Sequence, residues 1–67
     1  MGYKFETTAT VHFSKGLLAG MVVPMGFRVG EVDLAHARRR VASLRRANLE
    51  PRDGKTYSDI RISPRDV

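Results

Sequence analysis

Catalytic or metal chemistry in this chain would have to come from two histidines, four serines and seven carboxylates, because cysteine is absent. His12 and His36 belong to no ligand-spaced set: there is no HExxH, no cysteine pair and no grouping of His with Asp or Glu. Each reads as a surface histidine. Ser14, Ser43, Ser58 and Ser63 have neither a nucleophile-elbow context nor a base at readable spacing, so turn, helix-surface and strand roles account for them. The acids are scattered, with no two placed where helix or strand geometry would force an acid and base pair. Gly16, Gly20, Gly26 and Gly30 match neither GxxxxGK[ST] nor GxGxxG, and the helix after them opens on Glu31 and Asp33, which repel phosphate. No enzyme, cofactor or metal is expected.

One cluster stands apart. Arg38, Arg39, Arg40, Arg45 and Arg46 fall within nine residues that contain no acid. The remaining seven basic residues cancel the seven acids, so this stretch holds the whole formal charge of +5. On a helix at about 100° per residue, Arg39 and Arg46 point away from the apolar stripe and Arg38 and Arg45 share one flank beside Ala42, while Arg40 takes the opposite flank. Residues seven apart lie about 10 Å apart along the axis. Like charges at this spacing repel slightly, so the face serves an anionic partner better than it serves its own fold. The bland alternative is a solvated helix face whose arginines snorkel over the sheet edge. Arg61 and Tyr57, read as exposed together on the last strand, are candidate additions to the binding set.

These residues need a small scaffold. A 67-residue chain buries roughly 60% of its unfolded surface, enough for one thin core and not for a deep enclosed pocket. At 42% hydrophobic and 28% charged, it has the composition of a globular domain rather than a disordered chain. No apolar run approaches the ~20 residues of a membrane span. Without disulfides or thiolate metal sites the core holds alone or with a partner subunit. Position 6 is Glu6, where an acylation signal wants Ser or Thr, and no signal peptide follows Met1, so a single cytoplasmic domain over 1–67 with no membrane partner is expected.

Alternation from Tyr3 to Phe13 predicts a half-buried strand, with Tyr3, Phe5, Thr7, Ala9, Val11 and Phe13 on one side. Ser14, Lys15 and Gly16 supply a turn, and Leu17 to Val23 forms a second strand in a hairpin. Pro24 and Gly26 end or bulge it, with a brief restart through Phe27, Arg28 and Val29 as the alternative. The period then changes to Leu34, Ala37, Val41 and Leu44, an amphipathic helix capped by Asp33 and ending near Ala47, with Asn48 and Glu50-Pro51 as stop signals. Pro51, Arg52, Asp53 and Gly54 make a turn. A last strand runs from about Thr56 to Ser63, with Ser58, Ile60 and Ile62 facing one way and Tyr57, Asp59 and Arg61 the other. Pro64 closes it, ahead of a tail over Arg65 to Val67.

The order β-β-α-β gives an α+β fold: a three-stranded antiparallel sheet in order 2-1-3, four-stranded if the restart is separate, with one helix on one face. Phe5, Ala9, Val11, Phe13, Met21, Val23, Ile60 and Ile62 should meet the helix, with Met21 and Met25 as adaptable filler. Open strand edges invite pairing with a second copy.

The segment His12-Phe13-Ser14-Lys15-Gly16-Leu17-Leu18-Ala19-Gly20, the Ala/Arg-rich helix and Tyr57-Ser58-Asp59-Ile60-Arg61-Ile62 resemble the small accessory proteins of phages and mobile elements. In size and element order the chain is similar to β-rich, one-helix anti-CRISPR proteins. That resemblance implies a non-enzymatic inhibitor docking on a nucleic-acid machine such as a CRISPR effector, and it transfers no site residues. The arginine face would meet an acidic protein surface. Direct DNA or RNA binding is the alternative use of the same arginines, although no helix-turn-helix, RNP aromatic pair, GXXG loop or zinc finger is present.

Overall fold

The computed structural model describes residues 2–65. It contains β1 (Phe5–Phe13), β2 (Val22–Glu31), α1 (Leu34–Leu49) and β3 (Lys55–Pro64). The strands form one sheet in order β2-β1-β3, and β1 pairs antiparallel with both neighbours. The fold is α+β, as the order of elements implies. The helix packs chiefly on β3, less on β1 and least on β2. Of the tail expected over Arg65 to Val67, residues 66 and 67 lie outside the described residues, and the Arg65 amide donates to the Lys4 carbonyl at 2.9 Å.

The register departs from simple alternation at two places. On the β2 side, Ala9 pairs with Phe27 and Val11 with Val23, so Pro24, Met25 and Gly26 all lie opposite Thr10. Strand two therefore starts at Val22 and runs through the expected breakers, and Phe27 to Val29 is its body rather than a separate strand. Leu17 to Gly20 is a turn instead of strand. The reason is that β2 is an edge strand, where a proline without an N–H is tolerated, while Met25 takes φ 55° to absorb the extra length. Gly26 has no spare room: a Cβ there would sit 3.0 Å from Val23 and 3.1 Å from Val11. On the β3 side, Thr8 pairs with Arg61 and Thr10 with Ser58, which sets Asp59 and Ile60 both opposite Ala9, with Asp59 at φ 50°.

This second bulge reverses the facing of the first part of β3. Tyr57 pairs with Val11 and so shares the helix side with Ile60 and Ile62, while Ser58 moves to the open side with Arg61. Tyr57 is half-buried, its ring edge-on to Phe27 with centroids 5.8 Å apart. Tyr3 also departs from expectation. Lying before β1, it folds its ring over Gly30, where a Cβ would come within 2.7 Å of the ring.

The core is thin. Ala9, Val11, Ala37 and Leu44 are its buried apolar side chains, and Thr7 is fully buried beside them. Met21 and Met25, expected to fill the core, are about half exposed instead. They sit at the hairpin end and in the bulge, where no helix overlies them. Two polar clasps fix the layers. The Asn48 carboxamide donates to the Tyr57 carbonyl at 2.8 Å and accepts from the Tyr57 N–H at 2.7 Å, as a paired strand would. Asn48 therefore does not end the helix, which continues to Leu49. At the same end of the molecule the Ser14 amide and hydroxyl both donate to the Gly54 carbonyl, at 2.7 and 3.0 Å.

Candidate binding face

The helix that carries the arginines starts where the sequence places it. Asp33 is extended, and its carboxylate accepts from the His36 N–H at 2.8 Å and contacts His36 Nδ1 at 2.8 Å. Those two bonds, the backbone one foremost, hold the Asp33 carboxyl below its ordinary range. Leu34 to Leu49 then completes more than four turns, with Ala37 and Leu44 buried and Val41 half-buried beneath. Arg38, Arg39, Arg45 and Arg46 are all exposed.

The arginines divide, but not in the expected pairs, because Arg46 joins Arg38 and Arg45 while Arg39 stands apart. Arg38, Arg45 and Arg46 border a groove of ≈ 660 Å³ along the flank of α1 that faces β3, with Val41, Ala42, Leu49 and Ile62 as its apolar surface. Among the described residues no acidic side chain lines this groove. Arg39 sits on the other side of the helix, beside His36 and Ser43. Arg40 is committed inward. Its Nε and Nη2 donate to the two Glu31 carboxylate oxygens at 3.2 and 3.4 Å, and the Thr7 hydroxyl donates to Glu31 Oε2 at 2.9 Å. Glu31 is only 3% exposed. Burial pushes its carboxyl up, but the Arg40 and Thr7 hydrogen bonds outweigh that, and the group is held below its ordinary value. Arg40 is thus a tether between helix and sheet, its guanidinium engaged by Glu31 rather than free for a partner.

The structure also separates the two β3 candidates. Tyr57 is half-buried on the helix side, its ring edge-on to Phe27 and its backbone held by Asn48. Arg61 is on the open sheet face, across the molecule from the arginine helix, in a row with Thr8 and Arg28. Arg28 there donates to Glu6 at 2.9 Å. What the sequence reading missed is the apolar part of the groove, above all Leu49, 83% exposed. Carrying the helix two residues beyond Ala47 would have found it, because Leu49 continues the stripe Arg38, Ala42, Arg45 at helical spacing.

Among the remaining chemistry-bearing residues one pair comes together. His12 Nε2 and Ser58 Oγ lie 2.7 Å apart on the open sheet face. The β3 bulge that reverses Tyr57 brings them together, so no sequence spacing announces the pair. No other side chain bonds His12 among the described residues. Compared with known proteins, the chain matches no family model, no curated protein and no solved structure.

Proposed function

We propose that this protein is a non-enzymatic binding module whose α1–β3 groove receives a protein segment carrying acidic side chains around an apolar anchor. The observation that carries the reading is the groove itself: an apolar strip ending in exposed Leu49, bordered by Arg38, Arg45 and Arg46 and, among the described residues, free of lining acids. Arginine forks suit bidentate carboxylate pairing, and a desolvated apolar centre with a charged rim is the ordinary anatomy of a protein interface. A phosphate backbone would use the guanidinium groups but has no use for the apolar strip, which favours protein over direct DNA or RNA binding. The narrower reading, a phage-type cytoplasmic inhibitor docking on a CRISPR effector or similar nucleic-acid machine, rests on the resemblance in size and element order.

The test compares binding of an acidic peptide with one central leucine against mixed-sequence DNA and RNA, each at low and high salt, by fluorescence anisotropy. Leu49→Ser should weaken peptide binding about tenfold or more, the loss of one buried leucine. Arg38→Glu/Arg45→Glu should abolish it. Binding to nucleic acid with a steep salt slope and indifference to Leu49→Ser would sink the protein-partner reading.

A further inference from the structure

The end of the molecule away from the Glu31 tether projects apolar side chains into water. Leu17 is fully exposed, and Leu18, Met21 and Val22 are about half exposed. This is a built turn. The Ala19 amide donates to Gly16 O, the Met21 amide to Leu18 O and the Gly20 amide to Phe13 O, at 3.2, 2.9 and 2.7 Å. Gly16 and Gly20 take φ of +85° and +87° with open space where a Cβ would be, so glycine is needed there for backbone freedom alone. The turn therefore holds the leucines outward.

Cations lie beside its base. Phe13 pairs with Lys55, and a Cβ on Gly54 would collide with the Lys15 side chain. The hairpin tip thus shares its end of the molecule with the helix C-terminus and the 50–54 loop. Arg46, Arg52 and Lys55 line one depression there together with Glu50 and Asp53, and the Lys15 stem packs beside them at Gly54. We infer that this end is a membrane-surface contact, the Leu17-Leu18 tip entering the headgroup region of an anionic bilayer while the neighbouring cations engage its phosphates and carboxylates. An exposed apolar tip with a net positive cluster beside it matches both attractions an anionic leaflet offers. A protein partner would have to supply a complementary pocket. The expectation of no membrane partner came from the lack of a spanning segment. No helix among the described residues is long and apolar enough to cross a membrane, but a tip that enters one interface needs only a few apolar side chains.

The chain has no tryptophan, so Leu17→Trp introduces a single reporter at the tip. Mixed with phosphatidylcholine vesicles containing phosphatidylserine, this variant should shift its emission to the blue and be quenched by bromine-labelled acyl chains. Vesicles of phosphatidylcholine alone should leave it unchanged. By co-sedimentation with the phosphatidylserine vesicles, Leu17→Ser/Leu18→Ser should bind at least about tenfold more weakly than the unsubstituted protein. Each of Lys15→Ala, Arg52→Ala and Lys55→Ala should weaken binding about fivefold. The serine variant changes no groove residue, so its peptide binding should persist, keeping this inference separable from the groove proposal. Failure of the unsubstituted protein to bind anionic vesicles, equal binding to neutral ones, or undiminished binding of the serine variant would each overturn it.

Discussion

Removing the Arg40 side chain should reverse the sign of Glu31's contribution to this protein's response to acid. Glu31 is a buried carboxylate held by two arginine contacts and one threonine hydroxyl. With Arg40 present its folded-state pKa lies below the ordinary 4.5. The stability that this provides is fully present above the unfolded-state pKa and is lost as pH falls through the folded-state value. In Arg40→Ala the largest influence, burial, is opposed only by the Thr7 hydrogen bond and the His36 charge, and the carboxyl should rise. The variant then carries a desolvation penalty at neutral pH that is relieved as pH falls through the raised pKa. Its stability should increase on mild acidification while that of the unsubstituted protein declines.

Breaking a fully buried ion pair costs roughly 3–5 kcal/mol. The Arg40 side chain is 44% exposed, so water reaches one side of the pair, and a charge-assisted hydrogen-bond cost of about 2 kcal/mol is the better figure at neutral pH. A domain of this length has about 3–10 kcal/mol in total. At about 4–8 °C per kcal/mol, Tm should fall by about 8–16 °C. Thermal unfolding followed by circular dichroism from about pH 7 to about pH 4 reads both quantities. Glu31→Gln supplies the control, because it removes the charge and should flatten its own share of the pH dependence. A deficit for Arg40→Ala that stays constant across that range would refute the assignment of Arg40 as the partner of a buried carboxylate.

Three further outcomes follow from other contacts. Asn48→Ala removes two hydrogen bonds to Tyr57 and should cost about 1–3 kcal/mol, with faster hydrogen exchange at the Tyr57 amide as the local readout. Gly54→Ala meets both φ +68° and the Lys15 stem; it should lose about 1–2 kcal/mol from the backbone alone, and adding Lys15→Ala should recover only the steric part. Asp33→Ala should lower Tm at neutral pH, and the difference should close as pH falls through the depressed pKa of Asp33, where the unsubstituted cap also loses its charge.

The elements that the sequence made legible are those whose periodicity is uninterrupted. Alternation through β1 and the Leu34, Ala37, Val41, Leu44 stripe each set one face against one core, so strand order, helix cap and the division of Arg38 and Arg45 from Arg40 followed from geometry. Hydrophobic periodicity cannot register a bulge. Pro24 and Gly26 at least mark the β2 bulge, and because β2 is an edge strand the chain passes through them without ending. Asp59 gives almost no warning, since aspartate adopts positive φ only occasionally and fits equally well on an ordinary strand surface. A one-residue insertion there moves Tyr57 to the helix side and Ser58 to the open side, a reversal that periodicity alone does not show. Glu31 was hidden for another reason. A buried acid is legible only through its partners, and Thr7 and Arg40 lie 24 and nine residues away from it in sequence.

The two bulges also explain why the candidate face lies where it does. Both interrupt the ladder around the same short piece of β1, between Ala9 and Val11 on one side and between Thr8 and Thr10 on the other. Together they place Phe27 and Tyr57 edge to face on the helix side, flanking the small Ala9. With Tyr57 turned inward, its outer backbone groups are available to Asn48, and the C-terminal half of α1 is drawn over the β3 edge rather than the centre of the sheet. That offset leaves Ile62 as floor beneath the flank carrying Arg38 and Arg45, and it leaves Leu49 beyond the end of the sheet's cover. The groove is therefore a consequence of the β3 bulge. Deleting Asp59 should restore simple alternation, turn Tyr57 outward and release Asn48, so groove binding should be lost together with the Tyr57 amide's protection from exchange. Retention of groove binding with that protection lost would separate the groove from the bulge and refute this account of its origin.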